Sequence, residues 1–580
     1  MNEILETLRN LESPTWFRLG DYAPAFETAL ERTDKANAAR RLWGREGSLW
    51  SEDEWTASNI EERLGWLDLP QSMRIEIPRL KALAAEIQVA GIKHVILLGM
   101  GGSSLAAEVM GQILGNGTDY PVLTILDSTD PLQIRHTAEQ APLSQTLFLV
   151  ASKSGTTAET RNLYTYFKHV MREAVGEDKW PSHFIAITDP ETPLVELARK
   201  DSFRTTYLNP TDIGGRYSAL SFYGLVPASL VGVDLDELLR QAKEMAWACR
   251  ASVPVENNPG LVLGTILGGL ARHSDPHDKL TLIASPKLSP FGAWLEQLLA
   301  ESTGKEGVGI LPIDGEPSRP AGKYGHDRLF AYVRLATDDN EENDTRVAEL
   351  IEEGHPVVVS HLSNIHSLGA EFFRWEFATA IAGYLLEINP FNQPNVEAAK
   401  TRTRNALAQY EETEKLPEVS PILQEEEGFE LYGPETDAQS VGAYLASFFS
   451  EAKPNDYVAL LAYIERNSEH YELLQAMRQV LGQKTGLATT VGFGPRYLHS
   501  TGQLHKGGKN NGLFLEITHT PEDDLPIPQK EYTFGILKRA QALGDLEALR
   551  EADRRAIRVH INQPLESGLR ELTEIIQKAF

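Results

Sequence analysis

Cysteine is all but missing: Cys249 is the single one in 580 residues. That excludes an internal disulfide and any zinc site built from cysteines. Positive charge is scarce too. Lys and Arg number 55 against 82 Asp and Glu, a net charge of −27, which makes the chain a poor general binder of nucleic acid or anionic membrane. Any anion it holds must be met by a local cluster of backbone N–H groups and a few cations. No apolar run approaches the ~20 residues that span a bilayer. The N-terminus, MNEILETLRNLESP, carries Glu3 and Glu6 where a secretory signal would have an apolar stretch. These absences predict a soluble cytoplasmic protein with neither nucleic acid nor membrane as partner. What is present is ordinary: 42% hydrophobic and 24% charged residues, a globular composition able to build several cores. At ~100–200 residues per domain, the length suggests three to five folding units.

Residues 1–85 read as a helical segment, because ILETLRNL, FETALERTDKANAARRL and PRLKALAAEI repeat apolar residues at three- and four-residue spacing. From Lys93 the pattern changes. HVILLGMGGSS, VLTILDSTDP, LFLVASKSGTT and FIAITDP are short apolar runs ending in polar turns and followed by helical stretches. Uninterrupted apolar strands alternating with helices indicate a parallel sheet covered on both faces. The theme returns at KLTLIASPKLSP and HPVVVSHLSN. The expectation is an α/β protein with two doubly wound parallel-sheet domains, 86–250 and 251–400. A helical and acidic connector follows at 401–450. An α/β segment at 451–580 takes its strands from DYVALLAYI, TTVGFGP, GLFLEIT and RAIRVHI.

Two strand-ending loops carry the chemistry. In Gly99-Met100-Gly101-Gly102-Ser103-Ser104, glycines let backbone approach an anion at a helix N-terminus. A dinucleotide site is the competing reading, weakened because Ser104 stands where GxGxxG needs its last glycine. The second loop, Ser152-Lys153-Ser154-Gly155-Thr156-Thr157-Ala158-Glu159-Thr160, puts five hydroxyls around one glycine, whereas a helix cap needs one or two. That suits a phosphate monoester.

These loops resemble the GIGGS and SKTFTTxET motifs of the sugar isomerase (SIS) fold, specifically of the phosphoglucose isomerase family. Further motifs follow in order. Ile213–Ser218 (IGGRYS) resembles VGGRxS, and Gln297–Lys305 (QLLAESTGK) resembles QxxxESxGK. Gly315-Glu316-Pro317 with His326 is similar to GEP…GQH, and Phe391–Lys400 (FNQPNVEAAK) to FDQxGVExxK. The resemblance spans about 91–400. It implies SIS-type domains and reversible isomerisation of glucose 6-phosphate to fructose 6-phosphate, a step of glycolysis and gluconeogenesis, with no metal or other cofactor. It also implies a homodimer whose sites are shared, His326 entering from the neighbouring subunit.

Aldose–ketose isomerisation moves a proton between C1 and C2 through an enediolate. It needs a carboxylate base, a cation beside the developing oxyanion, and groups to open the ring. On the helix containing GAWLEQLLAESTGK, Trp294, Leu295, Leu298 and Leu299 form an apolar stripe. Glu301 falls about 20° outside its edge and Gln297 about 60°, while Glu296 points away as a surface residue. Glu301 is therefore the expected base, partly desolvated at the stripe edge. Arg216, in a glycine-flanked turn, is expected to face the enediolate with Gln297 beside it. Lys400 lies three residues after Glu397, the spacing of a plain surface ion pair, and only the motif makes it a ring-opening partner of His326. Gly102, Ser103, Ser152, Lys153, Ser154, Gly155, Thr156, Thr157, Thr160 and Gly215 complete the expected substrate-binding set. His355, His361, His366, His273 and His277 are read as structural or exposed.

Departures from the family pattern are Ser154-Gly155 in the phosphate loop, Asn395 before Val396-Glu397, and Gly325 and Asp327 around His326. The string Tyr497–Gly508 (YLHSTGQLHKGG) resembles the tail of the isomerase half of transaldolase–phosphoglucose isomerase fusions. It reads either as a second anion site, through His499, His505 and Lys506, or as a loop packed on the core. Two other functions remain open at this stage. One is a non-catalytic sugar-phosphate regulator, disfavoured by the intact Glu301 motif, and the other is an isomerase for another hexose phosphate such as mannose 6-phosphate.

Overall fold

The computed structural model describes residues 1–115, 119–417, 420–424 and 428–580. Three sheets organise the chain. The first takes its strands in the spatial order Val122–Leu126, His94–Leu98, Thr146–Ala151, Phe184–Thr188 and Thr205–Leu208, all parallel. HVILL, TLFLVA and FIAIT are buried almost throughout, as expected of strands covered by helices on both faces. The chain leaves His94–Leu98 toward one edge and later returns to lay Thr146–Ala151 along its other side. That reversal opens a crevice at the carboxyl ends of these two strands, where ligands of open α/β sheets bind. The two hydroxyl- and glycine-rich loops are the loops that leave those ends.

The second sheet runs Thr15–Arg18, Val357–Leu362, Arg328–Leu335, Lys279–Ala284, Leu311–Ile313. Its first strand comes from the N-terminal segment, which was expected to be mainly helical and otherwise is. TWFR pairs antiparallel with Val357–Ser360, caught there by its β-branched and aromatic residues and an unfilled sheet edge. Nor is the N-terminal segment a separate body. Residues from Leu19 to Phe391 form one continuous core across it and both central units. The helices Pro259–Ala271 and Leu368–Leu386, buried on nearly every face, pack against each other in its middle.

The third sheet has the order Leu423–Gln424, Phe429–Tyr432, Arg555–Ile561, Gly512–His519, Tyr457–Tyr463, Ala488–Phe493, and its last four strands are those expected from the sequence. The connector differs from expectation. After the helix Glu397–Thr413, its two short strands join this sheet antiparallel, so the stretch is largely part of the C-terminal unit. Phe429 and Leu431 are buried in that unit's core, which is what draws an otherwise acidic segment in. Residues 418–419 and 425–427 of the acidic stretch lie outside the described residues. Among the described residues, no helix is long and apolar enough to cross a membrane.

Candidate active site

One cavity of about 500 Å³ gathers residues from all three units. Its floor is the helix Phe291–Thr303, whose apolar stripe Trp294, Leu295, Leu298 and Leu299 is fully buried. Glu301 projects from the stripe's edge into the cavity with 12% of its side chain exposed. Gln297, one turn earlier, donates from Nε2 to Glu301 Oε2 at 3.1 Å. Arg216 is 3% exposed and its Nη1 lies 3.7 Å from Glu301 Oε2. Four further acceptors fix the guanidinium: Ser302 Oγ at 2.7 Å, Gln393 Oε1 at 3.1 Å, and the carbonyls of Pro390 at 2.7 Å and Asn392 at 3.0 Å. A buried, fully directed guanidinium facing a carboxylate across a cavity is a preorganised charge pair.

The opposite wall is the phosphate-type loop. Ser152 and Thr157 hydroxyls bond at 2.9 Å and those of Ser154 and Thr156 at 2.8 Å, just before the helix Ala158–Val175. Gly155 sits at φ +66°, and a Cβ there would also meet Leu194 N at 2.8 Å. The glycine of Ser154-Gly155 thus belongs to this turn's left-handed conformation. Lys153 pairs with Asp189, whose carboxyl is pushed up by burial against the pull of that ammonium. Between the walls, Gly102 lies so close to Gly215 that a Cβ would fall 2.1 Å from the Gly215 carbonyl oxygen.

The cavity brings together Gly102, Ser103, Lys153, Ser154, Thr157, Gly215, Arg216, Gln297, Glu301 and Lys400. Lys400 both lines it and forms the expected pair with Glu397, at 2.8 Å. Ser152 is buried beneath the loop, Thr156 is exposed beside Ser154, and Thr160 is buried one turn on, its hydroxyl without a protein partner. His326 lies outside the cavity of its own chain. Its side chain is 61% exposed and faces Asp275 at 3.4 Å. Its neighbour Asp327 is buried against Lys279.

Two comparisons bear on the family, and the second decides it. A family model described as phosphoglucose isomerase matches residues 82–310. The probable glucose-6-phosphate isomerase of Haloarcula marismortui is 30% identical over 363 residues, 56% of this chain and 80% of that one. The chain belongs to the phosphoglucose isomerase family. The glucose-6-phosphate isomerase of Thermus thermophilus is 29% identical over 436 residues, covering 67% of this chain and 98% of its own. About a third of this isomerase therefore has no counterpart there. Among solved structures, a glucose-6-phosphate isomerase from Chlamydia trachomatis shares the fold, with a TM-score of 0.55 at 17% identity over 71% of this chain and 92% of that one.

The isomerase's C-terminal unit supplies what the sequence reading did not assign to the site. Leu498 and His499 line the cavity, and the His499 carbonyl accepts from Gln297 Nε2 at 2.9 Å. The rest of the YLHSTGQLHKGG string holds this unit in place. Gln503 Nε2 donates to Gly304 O at 2.8 Å and to Asn395 Oδ1 at 2.7 Å, while its Oε1 accepts from Asn395 N at 2.8 Å. Asn395, a departure from the family pattern, is thus a docking contact. Lys506 pairs with Asp545, and His505 is buried among Tyr457, Tyr497 and Phe514, its pKa driven far down by burial. Neither faces the cavity.

Glu296 is not the surface residue that its helix position suggested. It accepts from Ser500 Oγ at 2.8 Å beneath the C-terminal unit, and burial pushes its carboxyl up to about 7. Among the described residues, no three His, Cys, Asp or Glu side chains are grouped to hold a metal ion.

Proposed function

We propose that this isomerase interconverts glucose 6-phosphate and fructose 6-phosphate, the step shared by glycolysis and gluconeogenesis. The observation carrying this reading is a single cavity with a hydroxyl-lined helix N-terminus at one wall and the Glu301–Arg216 pair, 3.7 Å apart, at its floor. The loop Ser152–Thr157 and the N-terminus of Ala158–Val175 receive the phosphate, which leaves C1 and C2 of the sugar to reach Glu301. In the open-chain aldose, Glu301 takes the C2 proton. The C2–H electrons form the C1=C2 enediolate, and the carbonyl electrons move to O1. Arg216 faces the resulting oxyanion, and Gln297 holds Glu301 in line. The O2 proton then passes to O1, the O2 electrons form the C2 carbonyl, and the C1=C2 electrons take the proton back from Glu301 at C1, which gives the ketose. The reaction is redox-neutral, so a base, a cation and an anion cradle suffice.

The test is a coupled assay of the purified chain with fructose 6-phosphate in the presence of EDTA. Glucose 6-phosphate should accumulate. Turnover of mannose 6-phosphate alone would change the substrate while keeping the site, and tight binding without any conversion would favour a regulator.

A further inference from the structure

The sheet of the C-terminal unit departs from the rule that a covered parallel sheet is apolar on both faces. One face obeys it: Leu515, Ile517, Ile557 and Val559 belong to the unit's core. The other face is apolar toward the amino ends of the strands, at Ala459, Phe514 and Ala556. Toward the carboxyl ends, the register sets two rows of polar side chains side by side. One row is Tyr463, Thr518, His560 and Glu430, and the next is Glu516, Arg558 and Tyr432. All of these except Glu516 line a cavity of about 540 Å³, a size within the ~300–1,000 Å³ of small-molecule sites. Its place in the topology points the same way. The chain leaves Tyr457–Tyr463 to lay Ala488–Phe493 along one side and returns to lay Gly512–His519 along the other. Tyr463, Thr518 and His519 line the cavity at the carboxyl ends of the two strands where that reversal occurs, the position at which open α/β sheets take ligands.

The charges around this cavity say what it can hold. Arg558 is buried beside the Tyr432 ring and gives its Nε to Glu516, while its Nη2 has no partner among the described residues. Burial pushes the Glu516 carboxyl up to about 7 against the pull of Arg558, so near neutral pH it answers the guanidinium only in part. Lys538 is already committed, at 2.7 Å from Asp130 of the first unit. Arg539, on the helix Phe534–Glu551, and Lys415, just beyond the helix Glu397–Thr413, also line the cavity, and neither has an ion-pair partner among the described residues. Three cations from three elements thus share one cavity in a chain of net charge −27. A phosphate monoester brings about two charges and three acceptor oxygens to one point, which suits donors arriving from three elements. The carboxylates of Glu414 and Glu430 line the cavity too, and they favour a ligand that also carries hydroxyl groups to donate to them. Tyr432 Oη, 2.6 Å from Glu430 Oε2, and Thr518 Oγ1, 2.9 Å from His560 Nδ1, add hydroxyls at the same wall.

We propose that the C-terminal unit binds a small phosphate monoester with a hydroxylated body in this cavity. Arg558, Arg539 and Lys415 take the phosphate, and Glu430, Tyr432 and Thr518 take the hydroxyls. The site shares no residue with the isomerase cavity and lies outside the family-model match at 82–310.

Sorbitol 6-phosphate fits this description and, having no carbonyl, cannot be isomerised. Equilibrium dialysis of the full chain against the radiolabelled compound counts the molecules bound. The wild type should bind one molecule whose affinity is unchanged by Thr157→Ala, a substitution at the isomerase cavity. The double variant Lys415→Gln/Arg539→Gln should weaken that molecule by about 10–100-fold. Both side chains are exposed, so the variant should melt at the wild-type temperature, which separates lost binding from lost folding. Methyl phosphate, which has no hydroxyls, and succinate, a dicarboxylate, should each displace the probe about tenfold less well than unlabelled sorbitol 6-phosphate. Equal binding by wild type and double variant overturns the site, as does a wild type whose bound probe is all weakened by Thr157→Ala. Displacement by methyl phosphate as good as by the probe overturns the hydroxylated body, and better displacement by succinate overturns the phosphate.

Discussion

Glu301 and Glu296 show how far a single residue's role can be taken from its place on a helix. The stripe Trp294, Leu295, Leu298 and Leu299 put Glu301 at the edge of an apolar face, and the structure has it there, facing Arg216. Glu301→Gln keeps the shape and removes the base. Turnover should drop by about 10²–10⁴-fold with phosphate-ester affinity retained. A variant keeping more than a tenth of the wild-type rate would place the base elsewhere. Thr157→Ala belongs to the other class. Its hydroxyl is tied to Ser152 at the phosphate wall, a contact made alike in ground and transition states, so the loss should fall on KM, by about tenfold, with kcat little changed. Steady-state kinetics separate the two, and an equal fall in kcat would contradict the division. Glu296 was misread because helical periodicity names the face turned from one core and is silent about a second body packed on that face.

At the scale of elements, apolar runs were the legible part. Each run of four or more Val, Ile, Leu or Phe that ends in a polar turn is a strand of a parallel sheet, because burial on both faces leaves no polar alternation to mislead. Thr15–Arg18 and Phe429–Tyr432 were not legible. Each is a four-residue strand held to its sheet by a partner more than a hundred residues away, and local propensity does not encode that. The two glycine-bearing loops were legible as loops, but their mutual contact was not. Gly102→Ala would drive a Cβ to 2.1 Å from Gly215 O, backbone against backbone, where no side chain can yield. We expect a destabilisation of about 1–3 kcal/mol together with lost activity, read by thermal unfolding and kinetics. An unchanged melting temperature would mean that the two loops separate at little cost.

Across the whole molecule, the C-terminal unit is bolted to the others by buried ion clusters. Arg466 and Arg496 clasp Glu108, with Arg496 also pairing Asp127 of the first unit. Glu316 of the GEP motif holds Arg328 at 2.8 and 3.1 Å and Arg319 at 2.8 Å, and accepts from Thr489 N at 3.0 Å. Burial alone would raise both carboxyls, but their arginines bring each down to about 2, from 4.5. A depressed carboxyl gives stability that is full above the unfolded pKa and is lost as pH falls toward the folded one. The melting temperature should therefore fall steeply between about pH 4.5 and 2, and less steeply in Glu108→Gln. Equal slopes would remove Glu108 from the account.

The sequence alone determined the sheet-forming runs, the loops that end them, and the order of motifs that assigns the family. These depend on local composition and spacing, which the chain carries along its length. It also named Glu301, Arg216, Gln297 and Lys400, because each stands inside such a motif. Only the tertiary structure brought Leu498 and His499 of the C-terminal unit to their cavity. Nothing within ten residues of His499 says where its ring will point. That is settled by how the C-terminal unit docks, through Gln503 on Gly304 and Asn395 and through Arg496 on Glu108 and Asp127. These contacts join residues more than a hundred positions apart, and no local pattern records them.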